Sequence, residues 1–184
     1  MAQGDAESEL DFWEKAKEQH GQQNFALGSN WSLSFQSDPK ELVFALSRYK
    51  FAAKMLGRNS NILELGCGEG VGTPILSEFA SSYTGVDPDN YAISSATQNW
   101  GSETCSFIKG DLLNSKFGQF DSIISIGIFD HIDPEIIDSF FDTIYQNLSN
   151  NGIGIVETLN QPTYNSTNVL HYPNQQKETN EDRL

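Results

Sequence analysis

Apolar positions along this chain change their period several times, and each change marks an element. From Asp38 to Leu56, the residues Leu42, Leu46, Tyr49 and Ala53 recur at helical intervals. Asp38 stands at the N-cap, Pro39 at the first helical position and Gly57 at the stop, with Glu41 in capping-box spacing. Short apolar runs then alternate with helical patterns. The spacing predicts strands over 61–67, 83–87, 105–110, 120–127 and 152–158. Helices are predicted over 74–81 and 88–100, and a third opens at Asp133, Pro134 and Glu135. That third helix carries Ile136, Ile137, Phe140, Phe141, Ile144 and Leu148 as a wide apolar stripe. Apolar, β-branched strands alternating with helices predict an α/β fold with a mostly parallel sheet covered on both faces. Right-handed crossovers make such a sheet doubly wound, in the Rossmann-like manner.

The flanks read differently. Residues 1–30 are polar with isolated aromatics at Phe12, Trp13 and Phe25, a pattern read as an N-terminal arm. Residues 31–160 carry the folded domain. From 161 to 184 Asn, Gln, Thr, Ser and Glu dominate without period, and disorder is expected there. At 184 residues the chain fits one domain with a real core. No apolar run is long enough to span a bilayer, and Met1–Leu10 lacks a signal-peptide pattern. Cys67 and Cys105 have no metal-ligand spacing, so reduced thiols in a cytoplasmic setting are expected.

Charge narrows the partners. Acidic residues number 25 against 11 basic ones, a formal net charge of −14. Binding to a phosphate backbone draws on clustered Lys and Arg, and no such cluster occurs here. A nucleic-acid substrate is disfavoured and a small-molecule partner preferred.

The densest chemical signal is Ile62-Leu63-Glu64-Leu65-Gly66-Cys67-Gly68-Glu69-Gly70, a strand running into a turn with glycine at alternate positions. Ligands of open α/β sheets bind beyond the carboxyl ends of the strands, and glycine lets a ligand approach the backbone. A tight strand–helix turn without a ligand is the alternative. The dinucleotide fingerprint needs a third glycine, but Val71 or Thr73 stands there, and no Walker lysine follows. Asp87, followed by Pro88, ends the second strand about twenty residues further on, where an acid meets ribose hydroxyls. Asp111 follows the third strand; an acid there can accept from an adenine amino group while Leu112 packs on the ring. A loop Asp that only terminates the strand is the alternative.

Glu64–Gly70, Asp87, Gly110-Asp111-Leu112, Phe120-Asp121 and Asp130-His131-Ile132 together resemble the ordered motifs of class I S-adenosylmethionine-dependent methyltransferases over about residues 31–160. The resemblance implies a turn, Gly66, Cys67, Gly68 and Gly70, wrapped around the methionine end of S-adenosylmethionine. Glu64 would support its ammonium directly or through water, Asp87 would hold the ribose, and Asp111 with Leu112 the adenine. It implies methyl transfer to a small-molecule acceptor. Trp31-Ser32-Leu33, Asp38-Pro39-Lys40 and Ser47–Phe51 resemble a narrower bacterial group accompanying sugar and surface-polysaccharide genes, which implies O-methylation of a sugar or sugar nucleotide.

An alcohol acceptor needs its proton removed as transfer proceeds. His131, beyond the fourth strand, is the candidate general base, and Asp130 would orient it or touch the donor's methionine part; a structural loop histidine is the alternative. The acids Asp130, Asp133 and Glu135 open a helix and suit its dipole, so no metal is assigned. The family normally adds two further strands, and none is visible after Thr158. The fifth strand would then be an exposed edge, covered by a second copy or by chain beyond Leu184. The competing reading is a noncatalytic donor-binding module serving interaction or regulation.

Overall fold

The computed structural model describes residues 9–20 and 27–158. Its centre is a sheet of five parallel strands: β1 (Ser60–Leu65), β2 (Ala80–Asp87), β3 (Cys105–Lys109), β4 (Phe120–Ser125) and β5 (Leu148–Val156). Their spatial order is β3-β2-β1-β4-β5. The chain starts at the middle, steps outward to β3, then returns to the other side of β1. The reversal between β1 and β4 opens a crevice at the carboxyl ends of the strands. Among the described residues nothing pairs with the outer edge of β5.

Successive residues of a strand face opposite ways, and here both faces are apolar. Ile62, Tyr83 and Ile124 pack with Tyr49, Ala52, Ala53 and Leu76 on one face. Leu63, Leu65, Val86 and Ile123 pack with Phe140 and Ile144 on the other. The helices supplying these contacts are α3 (Pro39–Met55), α4 (Thr73–Leu76) and α6 (Ile137–Asn147); α5 (Asn90–Trp100) follows β2.

Several expectations change in detail. The helix predicted over 74–81 is only the single turn of α4, because β2 starts early: Ala80 already pairs with Ser60 and Ser82 with Asn61. The helix predicted from Pro88 begins at Asn90, with Asp89 accepting from Tyr91 N at 2.8 Å. The one opened by Asp133 begins as a short 3₁₀ turn, Pro134–Ile136, before α6. Within the N-terminal arm, Glu9–His20 forms helix α1, and Ser29–Ser37 forms α2. Phe25 and the tail beyond Thr158 lie outside the described residues. Asp38 does cap α3, accepting from Lys40 N at 3.0 Å. Its own N–H is taken by Ser34 O at 2.8 Å, which closes α2, so Glu41 turns instead to the Ser34 hydroxyl and the reciprocal half of the capping box is not formed.

No helix joins β3 to β4; residues 110–119 form a loop anchored by Asn147. That fully buried side chain accepts from Phe117 N (2.5 Å) and Gly118 N (3.0 Å) and donates to Ser115 O and Thr143 O, both at 2.7 Å. One amide thus meets four polar partners that a helix or strand would otherwise satisfy.

Candidate functional site

The loop after β1 is built on left-handed backbone. Gly66, Gly68 and Gly70 have φ of 81°, 52° and 79°. Gly66 N and Cys67 N both donate to Val86 O, at 2.8 and 3.1 Å, which ties the turn to the end of β2. Asp87 completes the tie: one carboxylate oxygen accepts from Gly68 N and the other from Asp89 N, each at 2.9 Å. Gly110 N in turn donates to Asp87 O at 3.1 Å. With Leu65 beside Val86 and Asp87 beside Lys109 in register, the glycine turn, Asp87 and Asp111 share one end of the sheet on three adjacent strands.

The glycines have different work. A Cβ on Gly66 would lie 2.2 Å from Ile128 Cγ1, whereas one on Gly68 would meet nothing within 4 Å. Gly127, after β4, also has positive φ and open space beside it. Gly66→Ala is therefore expected to destabilise the fold by about 2–5 kcal/mol, combining left-handed strain with overpacking. Gly68→Ala should cost only about 1–2 kcal/mol in stability but obstruct a ligand lying on the turn. Urea unfolding of both variants checks the order; equal losses would contradict the packing difference.

Cys67 is buried, and its thiol pKa is pushed far up by desolvation and then by the nearby Glu64 and Asp87 carboxylates. A Cβ on Gly85 would lie 2.8 Å from its sulfur. It is a space-filling residue of the turn rather than a nucleophile.

Glu64 is a buried acid of β1. Its side chain is fully buried and accepts from Tyr49 OH at 2.8 Å and from Tyr83 OH. Each oxygen keeps a lone pair beyond its tyrosine bond, so the hydroxyls do not by themselves bar a further donor, direct or through water. Burial raises its pKa to about 7; the two tyrosine hydrogen bonds oppose the rise and Asp87 adds to it. Because the folded value lies above the unfolded one, folding favours the protonated acid. That advantage is complete below about pH 4.5 and is lost as pH rises through about 7. Glu64→Gln mimics the neutral form. It should leave stability little changed at pH 5 and raise it by up to about 3 kcal/mol at pH 8.5, read as thermal unfolding at both pH values. An equal effect at both would remove the titration.

The remaining predicted residues surround the same sheet end. Asp111 is exposed and accepts from Leu113 N at 3.0 Å, while Leu112 is half-buried against the α6 side of the core. Pro88 is exposed beside Asp87. Asp130 and His131 lie in a 3₁₀ turn, Phe129–His131, and both are exposed. The Asp130 carboxylate accepts from Thr158 Oγ1 at 2.8 Å, which joins the loop after β4 to the exit of β5. Trp31 packs against the α3 side of the core.

Glu69, inside the glycine turn, escaped the sequence reading. It is buried and accepts from Ser29 N at 2.6 Å and Asn30 N at 3.1 Å, so it caps α2 from 40 and 39 residues away. Gly28 adjoins it with φ 83°, and a Cβ there would lie 2.2 Å from Glu69 Cδ. Ser29 Oγ also pairs with Tyr91 OH at 2.8 Å. Only the acid between two glycines hinted at this; its partner is too distant in sequence to be read.

Residues 62–152 match the family described as a methyltransferase domain. With the site above, the chain carries a class I S-adenosylmethionine-dependent methyltransferase domain, on a Rossmann-like sheet. A curated relative, the cyclopropane-fatty-acyl-phospholipid synthase of Escherichia coli K12, is 29% identical over 102 residues, covering 53% of this chain and 26% of the relative. The chain thus matches about a quarter of that protein's length. A TehB-like S-adenosylmethionine-dependent methyltransferase from Corynebacterium glutamicum shares the fold at 21% identity and TM-score 0.56, covering 69% of this chain and 72% of that one. The N-methyltransferase NodS from Bradyrhizobium japonicum does so at 24% identity and TM-score 0.54, covering 63% and 67%. The narrower sugar-linked group draws no support from these relatives. Among the described residues no helix is long and apolar enough to cross a membrane.

Proposed function

We propose that this chain, by itself or within a longer protein, transfers a methyl group from S-adenosylmethionine to a small-molecule acceptor. The observation that carries the reading is the shared sheet end, where three left-handed glycines, Asp87 and Asp111 meet. The fit to a nucleoside rests on Gly68 and Gly127, whose backbones face open space that a Cβ would enter.

In this reading the Gly66–Gly70 backbone, with Cys67 as filler, receives the donor's methionine portion. Asp87, next to Pro88, takes the ribose hydroxyls, each carboxylate oxygen having a lone pair beyond its bond to Gly68 N or Asp89 N. Asp111 accepts from the adenine amino group and Leu112 covers the ring. Glu64 acts at one remove, bracing the base of the turn through Tyr49 and Tyr83. When bound, the donor supplies an already activated sulfonium methyl group. The protein's part is alignment and exclusion of water, which in favourable cases lowers a barrier by about 7–11 kcal/mol. Asp130 helps to hold the loop that carries His131, and His131 takes the proton of a hydroxyl acceptor. O-methylation of a sugar or sugar nucleotide is the acceptor implied by the Trp31–Phe51 resemblance; an acyl lipid is the class in the name of the E. coli relative.

Calorimetry with S-adenosylmethionine, S-adenosylhomocysteine and NAD tests the donor. Binding of the first two without the third is expected, and binding of NAD alone would replace this reading with an oxidoreductase. Labelled-methyl turnover on sugar nucleotides and on acyl lipids then tests the acceptor. Donor binding with no turnover on any acceptor class would favour the noncatalytic module.

A further inference from the structure

The outward face of α3 concentrates positive charge in an otherwise acidic chain. Five of the 11 basic residues fall within positions 39–58, against one of the 25 acids. They form no run in the sequence, but the helix brings Lys40, Lys50 and Lys54 to its exposed side. The one acid, Glu41, is turned to the Ser34 hydroxyl, and Arg48 is held by Glu157. The three lysines form no ion pair with a described residue.

Apolar side chains share that face. Phe44 and Phe51 are each 65% exposed, and Met55 is 55% exposed. Their positions recur at helical spacing, which sets them in one row along the helix. Val43, Lys50 and Lys54 repeat that spacing one residue earlier, so a basic row runs beside the apolar one. The core does not use either row; α3 meets it through Ala45, Tyr49, Ala52 and Ala53.

The far side of the sheet carries the other sign. Glu135, Asp138 and Asp142, on and just before α6, are exposed, and α6 packs on the face away from α3. Charge is thus polarised across the sheet, which turns the molecule in a field rather than only repelling it from anions. Screening over about 8 Å at physiological salt then leaves the facing lysines to decide contact.

Aromatic and thioether side chains beside free lysines match an apolar phase with an anionic surface. The helix face is convex, so a protein partner would have to bring a trough cut to each side chain. A fluid bilayer closes around them, while the lysine stems lie along the apolar boundary and their ammonium groups stay at the phosphates. We propose that α3 docks the protein on an anionic phospholipid bilayer. Phe44, Phe51 and Met55 enter the headgroup boundary, and Lys40, Lys50 and Lys54 pair with lipid phosphates. The docking does not rest on the methyl-transfer reading.

Cosedimentation of the full chain with vesicles tests it. Binding is expected on vesicles of equal phosphatidylglycerol and phosphatidylcholine, to be lost on phosphatidylcholine alone, and to weaken as salt rises. Lys50→Glu combined with Lys54→Glu should weaken it about 25-fold or more, since each lysine near an anionic surface contributes about fivefold. Phe44→Ser combined with Phe51→Ser should weaken it about tenfold or more. All four positions are exposed, so the thermal unfolding midpoint should hold in both variants. Cys67 and Cys105 are buried, so a polarity-sensitive thiol label can be directed to Phe51→Cys or to Tyr145→Cys on α6. Vesicles should shift the emission of the first label to the blue and leave the second unchanged, a contrast that misfolding does not produce. No binding to the anionic vesicles, equal binding to phosphatidylcholine, no response to the lysine reversal, or an equal shift at both labels overturns the proposal. Capture by polyglutamate but not by vesicles also overturns it and gives the face to an acidic polypeptide.

Discussion

Asp87→Ala is expected to weaken S-adenosylhomocysteine binding by about 100-fold or more. Two charge-assisted hydrogen bonds to ribose hydroxyls would be lost, each contributing about 1.5–3 kcal/mol. The variant also strips Gly68 N and Asp89 N of their shared acceptor, so the glycine turn loses its strut to α5. Asp87→Asn separates the two effects. The amide keeps one oxygen acceptor but no charge, and an intermediate loss of about tenfold follows. Calorimetric titration of both variants, alongside thermal unfolding to show that they remain folded, is the measurement. A dissociation constant unmoved in Asp87→Ala would remove the ribose assignment.

His131→Ala should leave S-adenosylhomocysteine affinity within about twofold, a change of under roughly half a kcal/mol. Turnover of a hydroxyl acceptor should fall by about 100-fold to 10,000-fold, the range supplied by a positioned general base. Both His131 and its neighbour Asp130 are exposed on the turn after β4, so deleting the imidazole leaves no cavity in the core. Single-turnover kinetics with labelled donor separates the two quantities, and exogenous imidazole should restore part of the rate. Full turnover in the variant would make the imidazole a loop residue and pass the proton to solvent or to the acceptor's own chemistry.

The fold was legible where local pattern and global packing agree. Ile62-Leu63 and Ile123-Ile124 are apolar on successive positions, as strands buried on both faces require. The glycine turn and the carboxylate ending β2 could be placed at one sheet end from spacing alone. What stayed hidden depends on partners far along the chain. The two tyrosine partners of Glu64 stand 15 and 19 residues away on other elements, so its burial between them could not be read locally. The loop before β4 takes its hydrogen bonds from Asn147, nearly thirty residues later, a partner that local pattern does not reveal. Helix α2 escaped because its Ser-rich sequence has weak intrinsic preference and its cap comes from Glu69. Helix α4 was overestimated because sheet pairing claims the residues from Ala80 onward.

The Glu69 cap has a thermodynamic corollary. Its carboxylate belongs to the turn proposed to receive the donor's methionine portion, yet its hydrogen bonds go to Ser29 and Asn30. Whatever rigidifies one partner lowers the entropy left for the other to surrender, and such linkage is necessarily reciprocal. Occupancy of the turn and seating of α2 would then reinforce each other, so a helix that need not touch the ligand can still set how tightly it is held.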